Sequence, residues 1–322
     1  MKKAVNVFYK LFLCSGMLLS AYGSHAQEKV ELISFGDMDK WKVRVVQESF
    51  VIGGATKYLY EIAPGDTLRN NTPYKNTVSP WATSTVMAKV SGVVKTSITV
   101  YPEKRGDGYC ARLETRMEHC KVLGLFNIKV VAGGTIFLGE MVEPITDTKN
   151  PQSKLISGIP FTKRPKALMY DYKVITGGTC TYASGFGKPE ERTDKDMAET
   201  SLLLQHRWED VNGNVYAKRV ATAWENFDKS VYNWQNGHKL PIRYGNITSE
   251  SFYKPYMGLL KGDNAYYTRN SKGNVVPIQE VGWADANEGV THIVLRMSSS
   301  NGGPYIGSVG SKFWVDNVKL VY

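Results

Sequence analysis

Aromatic side chains set beside polar ones are the residues of this chain best suited to chemistry. The 322 residues include 7 Trp and 19 Tyr. The apolar C–H side of a pyranose ring packs flat on an aromatic face, while nearby Asp, Asn, Arg or Lys side chains bond its hydroxyls. Trp81, Trp283 and Tyr305 lie among turn-forming residues. We therefore predict that these three lie in loops and contact a glycan, the alternative being that each caps the core.

The other four Trp lie in strand-like patterns and are predicted to belong to the core or its edge: Trp41, Trp224, Trp234 and Trp314.

A second group of candidates alternates along the segment from Arg164 to Lys173. Tyr170 and Tyr172 share one face of the predicted strand, while Asp171 and Lys173 share the other. A sandwich strand turns one face to the core, so either the tyrosines or the Asp–Lys pair would be offered to a glycan, with Arg164 nearby. The alternative is a surface ion pair of little energetic consequence.

Carboxyl groups are numerous enough for acid–base catalysis. A glycoside hydrolase needs two carboxyls roughly 5 to 9 Å apart across a cleft. Six are candidates by position: Asp107, Glu114, Asp171, Asp196, Glu209 and Asp285. None lies in a hydrolase motif, and the sequence has no nucleophile elbow, P-loop or zinc-protease motif. Catalytic residues therefore stay unassigned.

Metal binding has one candidate set. Jelly-roll domains often carry a structural calcium ion bound by carboxylates and backbone carbonyls. Asp37, Asp39 and Asp316 lie in or near the two terminal strands, which commonly pair in such folds. No calcium-loop motif supports this set, and no other cofactor is predicted.

The chain has four cysteines, of which Cys110, Cys120 and Cys180 follow the predicted leader. An exported protein is able to form disulfides. Cys110 and Cys120 either bridge across a short loop or remain free, and at least one thiol is left over. The sequence has no CxxC motif or Cys/His cluster, so we do not expect zinc.

Residues 1–26 are typical of a secretory signal peptide. Three lysines, a short apolar stretch and a small-x-small cleavage site occur in order: Lys2, Lys3, Lys10, Leu11–Leu19 and Ser24–Ala26. The apolar stretch is shorter than the ~20 residues of a membrane span. Cys14 lacks the small residues that precede a lipidated cysteine. We expect an exported chain from Gln27, in the periplasm or at the cell surface, without a transmembrane segment.

Charge does not favour nucleic acid as the partner. Loss of Lys2, Lys3 and Lys10 with the leader lowers the formal charge from +10 to +7. The remaining basic residues are scattered, with no run of five, as on a solvated surface. With 42% hydrophobic and 22% charged residues, the chain has the composition of a globular protein.

Short alternating runs separated by Gly, Pro and Asn predict an all-β, antiparallel β-sandwich of jelly-roll type. We expect one domain over residues 27–322. Ser201–Trp208 and Val215–Trp224 flank Asn212 and Gly213 and predict a hairpin. His292–Met297 and Lys312–Tyr322 are interpreted as the closing hairpin.

Several segments, in order along the chain, resemble one family of exported Bacteroidetes proteins, that of the putative carbohydrate metabolism domain. They are Ala132–Gly139, Gly158–Pro165, Tyr170–Lys173, Leu240–Tyr244 and Val315–Val318. The resemblance runs from about residue 31 to the end. It departs from the family at Val174, where an aromatic residue is usual, and the immunoglobulin-like module that often precedes the domain is not seen. The resemblance implies a jelly-roll domain with a role in carbohydrate metabolism.

The interpretation that best fits these features is an exported, lectin-like protein that binds an oligo- or polysaccharide through loop aromatics. A glycoside hydrolase that uses a carboxylate pair is the first alternative. A structural or adhesion protein of the cell envelope is the second.

Overall fold

The computed structural model describes residues 28–122, 126–185 and 187–322. The predicted signal peptide, residues 1–26, lies outside the described residues. Within the described ranges the chain forms 27 strands and four 3-10 turns, without any α-helix. A search of the same ranges finds no helix with the length and apolar character that crossing a membrane requires.

The strands are β1 Val30–Leu32, β2 Trp41–Gln47, β3 Thr56–Ile62, β4 Leu68–Arg69, β5 Trp81–Thr83, β6 Val86–Val90, β7 Val93–Ser97, β8 Val100–Arg105, β9 Gly108–Glu114, β10 Arg116–Val122, β11 Phe126–Ala132, β12 Thr135–Met141, β13 Leu155–Ser157, β14 Ile159–Pro160, β15 Ala167–Ile175, β16 Cys180–Tyr182, β17 Ser184–Gly185, β18 Glu190–Arg192, β19 Ala198–Glu209, β20 Val215–Phe227, β21 Val231–Pro241, β22 Arg243–Tyr244, β23 Tyr267–Arg269, β24 Val275–Trp283, β25 His292–Ser298, β26 Ile306–Ser308 and β27 Lys312–Val321. The 3-10 turns are Phe50–Ile52, Pro151–Lys154, Pro255–Met257 and Gly262–Asn264.

Two large sheets carry most of the fold. The front sheet has the order β21-β15-β27-β9-β8, and β1 pairs with the end of β27. The back sheet has the order β14-β25-β19-β20-β24-β23-β13-β12-β5. Because β12 also pairs with β25, the back sheet closes a ring through β25, β19, β20, β24, β23, β13 and β12. The sequence did not indicate this closure.

The core lies between the two sheets. Alternate residues of the front strands meet alternate residues of the back strands, as a period of two requires. Both sheets contribute fully buried side chains: Leu168, Tyr170 and Val174 of β15, Phe313 and Val315 of β27, Leu202 and Leu204 of β19, and Leu295 and Met297 of β25. The predicted all-β, antiparallel sandwich is confirmed.

The two predicted hairpins have different outcomes. β19 and β20 form the expected antiparallel hairpin. At its tip Gly213 has a φ of +91°, and Asp210 Oδ1 accepts bonds from the amides of Asn212 and Asn214.

The predicted closing hairpin is wrong. β25 lies in the back sheet and β27 lies in the front sheet. Residues 299–311, which join them, are longer than the ~2–5 residues of a hairpin loop, and the chain uses this length to cross between sheets.

Of the two alternatives for Cys110 and Cys120, the structure favours free thiols over a disulfide. Cys110, Cys120 and Cys180 are all free thiols in the structure. Cys110 lies on β9 and Cys120 on β10, two consecutive strands that do not pair with each other. A disulfide needs Cα atoms no more than about 7 Å apart. The Cys110 thiol instead donates to the Glu103 carbonyl at 3.4 Å, and burial raises its pKa to about 12.

Candidate functional site

The outer face of the front sheet, opposite the core, carries a continuous group of charged and aromatic side chains. On β15 the residues between the core positions are Asp171 and Lys173. The register with β27 sets Asp171 opposite Asp316 and Lys173 opposite Trp314. Arg105 of β8 and Trp234 of β21 reach the same group from the two edges of the sheet. We call these six residues, Arg105, Asp171, Lys173, Trp234, Trp314 and Asp316, the outer-face patch.

An arginine lies between two carboxyls at the centre of this patch. Arg105 Nη1 is 2.9 Å from Asp171 Oδ2, and the same atom contacts Asp316 Oδ2. Arg105 Nη2 donates to Asn236 Oδ1 at 2.7 Å. Asp171 Oδ1 also accepts a bond from the Gly237 amide at 2.7 Å. The guanidinium is thus held on both sides, and so is the Asp171 carboxylate.

The two carboxyls are close enough to affect each other's protonation. Both contact one nitrogen, so the contacting oxygens lie within about 6 Å of each other. Burial raises the pKa of Asp316 from 3.8 to about 6, although Arg105 opposes the shift. A carboxyl that takes up a proton near neutral pH beside a second carboxyl resembles the acid pair that glycoside hydrolysis uses.

Each tryptophan of the outer-face patch lies under a cation. Arg105 Cζ is 3.8 Å from the centroid of the Trp234 ring. Lys173 Nζ is 4.1 Å from the Trp314 centroid and 5.7 Å from the Trp234 centroid. Trp314 Nε1 donates to Glu103 Oε1 at 2.8 Å. Cation–π contacts and this hydrogen bond fix both ring planes. Trp234 is half-buried and presents the more accessible aromatic surface.

The structure thus brings together Asp171 and Lys173 of the predicted glycan candidates, along with Asp316, which was predicted as a calcium ligand. It adds Arg105, Trp234 and Trp314, and the two Trp had been predicted to belong to the core or its edge. A sequence signal did exist for Trp314, because it shares a strand face with Asp316. No local signal marked Arg105.

Three predicted glycan contacts are corrected because they belong to the core. Trp81 does not lie in an exposed loop: it begins β5, is 0% exposed, and donates from Nε1 to the Ser34 carbonyl at 2.9 Å. Tyr170 and Tyr172 are 0% and 8% exposed. Both face the back sheet, where the Tyr170 hydroxyl donates to the Glu225 carboxylate.

The remaining glycan candidates are scattered. Arg164 is exposed, donates to the Glu288 carbonyl at 2.7 Å, and lies over the Tyr244 ring. Trp283 ends β24, not a loop, and is half-buried with Arg219 5.5 Å from its ring centroid. Tyr305 lines a cavity of about 250 Å³ between the β6–β7 and β10–β11 hairpins. These three do not join the outer-face patch.

The calcium candidates do not meet as a ligand set. Asp316 is bound by Arg105, and Asp39 Oδ1 accepts the Tyr109 amide at 2.7 Å. Asp37 Oδ1 accepts the Asp39 amide at 3.5 Å. Across the described ranges no three His, Cys, Asp or Glu side chains are arranged to hold a metal ion. A structural calcium ion stays a prediction.

A comparison with protein families identifies the family of this chain. Residues 57–257 match the family described as the putative carbohydrate metabolism domain. The chain belongs to this family. Membership confirms the resemblance found in the sequence. It indicates that the putative carbohydrate metabolism domain of this chain has a carbohydrate-related function.

Solved structures and curated proteins add less. A putative glycoside hydrolase from Bacteroides thetaiotaomicron is 17% identical, with a TM-score of 0.47 over 91% of this chain and 71% of that chain. A putative glycoside hydrolase from Bacteroides vulgatus is 16% identical, with a TM-score of 0.38 over 91% of this chain and 94% of that chain. Both TM-scores lie below 0.5, so the family match remains the stronger finding. The search of curated proteins finds no match.

Proposed function

We propose that this protein is exported and binds an oligo- or polysaccharide without chemical change, through the outer-face patch. The signal-peptide pattern of residues 1–26 supports export to the periplasm or cell surface. The family supports a carbohydrate ligand. The outer face supports binding, because it sets the half-buried Trp234 ring beside two cationic hydrogen-bond donors, Arg105 and Lys173.

One observation carries the proposal more than any other. Trp234 lies beside Arg105 and Lys173, with Asp171 and Asp316 on the neighbouring strands. A sugar ring packed against the Trp234 indole brings its hydroxyls near the Arg105 and Lys173 donors, while the buried carboxylates of Asp171 and Asp316 hold Arg105 in place. The side chains are already held by one another, so binding does not require them to be ordered.

A glycan array tests the proposal. We expect selective binding by the purified protein and a loss of at least tenfold in affinity for the best ligand in Trp234→Ala. Trp208→Ala is the matched control. Trp208 is 40% exposed and stacks on Tyr216 at 5.9 Å, but it lies at the β19–β20 hairpin, away from the outer-face patch.

Three results would contradict the proposal. If Trp208→Ala and Trp234→Ala weakened binding equally, the glycan would not lie on the outer-face patch. Binding unaffected by either substitution would place it elsewhere on the protein. A blank array would favour a structural or adhesion role in the cell envelope.

A glycoside hydrolase is the second candidate, favoured by one observation. Asp316 has a raised pKa of about 6 and shares Arg105 with Asp171. Incubation of the array's best ligand with the protein, followed by product analysis, separates the candidates. Release of shorter products that stops in Asp316→Asn, with binding retained, would favour the enzyme. Binding without products in the wild type would favour the lectin-like function.

A further inference from the structure

A cavity of about 190 Å³ lies between β20, β21 and the segment that follows β22. Its walls are mostly apolar, and they include the rings of Trp224 and Phe252 and the thioether of Met257. Trp224 and Met257 are each 8% exposed, whereas Phe252 is 36% exposed and lies at the mouth. An engineered apolar cavity of about 150 Å³ holds a benzene molecule. This cavity therefore has room for one aromatic ring with a small substituent.

Among the described residues, Arg243 is the one charged side chain that lines the cavity. Pairing of β22 with β20 sets Arg243 directly opposite Thr222, which also lines it. The guanidinium carbon of Arg243 is 5.1 Å from the Phe252 ring centroid, and this cation–π contact favours a position at the mouth. No carboxylate of the described chain forms an ion pair with Arg243. Its positive charge is therefore available to a ligand.

The polar side chains that line the cavity are suited to donate hydrogen bonds. Thr222 Oγ1 accepts a bond from Arg219 Nη1 at 3.2 Å, so the Thr222 hydroxyl keeps its proton for a further partner. The Trp224 side chain bonds Glu199, and Trp224 offers its ring surface to the cavity. Within the described ranges the lining includes no Asp, Glu, Asn or Gln. A ligand that fits these walls must therefore bring its own hydrogen-bond acceptor.

These features together select a class of ligand. A carboxylate accepts two parallel bonds from one guanidinium, and it supplies the acceptor that the walls lack. An aromatic ring matches the apolar walls, because the Trp224 and Phe252 rings and the Met257 sulfur all make favourable contacts with a flat ring. The hydroxyls of a sugar acid would instead be buried against apolar groups without partners, which costs free energy. The cavity therefore favours a flat apolar ring that bears one carboxylate.

We propose that this cavity is a second binding site and that it takes a small aromatic carboxylate, such as benzoate. The ring of the ligand packs against Trp224, Phe252 and Met257. Its carboxylate pairs with Arg243 and accepts a bond from the Thr222 hydroxyl. None of these residues belongs to the outer-face patch, so this site does not depend on the proposed binding of a glycan.

Isothermal titration calorimetry of the purified protein tests this site. The probes are benzoate, benzyl alcohol, acetate and glucuronate, which vary the ring and the charge separately. We expect benzoate to bind, and each of the other three to bind at least tenfold more weakly. Benzyl alcohol that binds as tightly as benzoate would show that the charge of Arg243 is not used. Acetate or glucuronate that binds as tightly would show that the aromatic walls are not used. Either result, or no binding of benzoate, would overturn the proposal.

Substitutions locate the binding. Arg243→Gln removes the charge at the mouth, and Phe252→Leu removes the ring beside it, and we expect each to weaken benzoate binding at least tenfold. Arg164→Gln is the matched control for Arg243→Gln, because Arg164 is also exposed and lies 4.3 Å from the Tyr244 ring centroid, but does not line the cavity. Arg164→Gln and Trp234→Ala should leave benzoate binding within twofold of the wild type. A tenfold loss in either control, with binding retained in Arg243→Gln, would overturn the proposal.

Thermal unfolding separates a loss of binding from a loss of folding. Since Arg243 is exposed, we expect Arg243→Gln without ligand to melt at the temperature of the wild type. Excess benzoate should raise the melting temperature of the wild type and of Arg164→Gln, because a ligand that binds only the folded state stabilises it. It should leave the melting temperature of Arg243→Gln unchanged. An equal rise in the wild type and Arg243→Gln would place benzoate elsewhere on the protein and overturn the proposal.

Discussion

The outer-face patch and the far face of the back sheet contain the same kinds of residue, but they differ in exposure. In the patch, Arg105 contacts two carboxyls and lies beside the half-buried Trp234 ring. On the far face of the back sheet, the buried side chains of Glu199 and Trp224 bond each other, and Ser201 and Arg296 bond Tyr266. The first region leaves an aromatic ring accessible beside its charges, and the second pairs its polar groups inside the fold.

This difference separates a binding surface from a buried network. A paired network with an accessible ring presents its groups in fixed positions, so affinity comes from pre-organisation. A buried polar group that loses its partner costs folding free energy. We therefore expect substitutions in the outer-face patch to lower glycan affinity as well as stability, whereas substitutions on the far face of the back sheet should lower stability and leave glycan affinity unchanged.

The largest effect is expected at Arg105. Arg105→Ala leaves Asp171 and Asp316 as neighbouring carboxyls without a cation between them. We expect the free energy of unfolding in urea at pH 7 to fall by about 3 kcal/mol, as for a broken buried ion pair. Arg192→Ala is the control, since its pair with Asp194 is exposed and such pairs contribute at most about 1 kcal/mol. Equal losses in the two variants would contradict the central role of Arg105.

A pH effect follows from Asp316. The pKa of Asp316 is raised to about 6 in the folded state, from 3.8. The folded protein therefore binds more protons than the unfolded chain between about pH 4 and pH 6, and its stability falls as the pH rises through this window. Between pH 4 and pH 7 we expect the free energy of unfolding to fall by about 2 kcal/mol less in Asp316→Asn than in the wild type.

The control for the pH effect is Asp107→Asn, which changes an exposed carboxyl on the β8–β9 turn. It should leave the pH dependence of the wild type unchanged. An Asp316→Asn variant whose stability falls as steeply as that of the wild type would mean that Asp316 is ionised throughout this range.

The smallest effect compares two buried tryptophans directly. Trp314 and Trp224 are 5% and 8% exposed, so replacement by Phe leaves a similar space in each case. Each variant also loses a hydrogen bond, from Trp314 to Glu103 and from Trp224 to Glu199. We expect the two variants to agree within about 1 kcal/mol in urea unfolding, and only Trp314→Phe to weaken glycan binding. Weaker glycan binding in Trp224→Phe alone would contradict the role of the outer-face patch.

The sequence predicted strand faces better than it predicted which face meets the core. Alternation along β27 correctly grouped Trp314 with Asp316. Large apolar residues occur on both faces of that strand, however, so local pattern favoured the core for Trp314. The alternation along β15 was likewise right, and only the packing of the second sheet showed that Tyr170 is buried while Asp171 faces outward.

Residues joined by long-range pairing were beyond local pattern. Asp171 and Asp316 meet because β15 and β27 pair across most of the C-terminal half of the chain. Trp81 follows a Ser-Pro step that is typical of a loop. In the structure, however, it begins β5, which pairs with β12, and the Trp81 indole lies in the core. Arg105 is the last residue of β8, before the β8–β9 turn, and nothing in its sequence neighbours indicates the two carboxyls that it contacts.

Footprinting of the glycan-bound protein tests the central claim most directly. Oxidation of Trp side chains by hydroxyl radicals, measured by mass spectrometry with and without the best array ligand, reports which rings the glycan covers. We predict that the glycan protects Trp234 and leaves Trp208, exposed at the far hairpin, as reactive as in the free protein. Protection of Trp208 with Trp234 unchanged would show that the outer-face patch is not where the glycan binds.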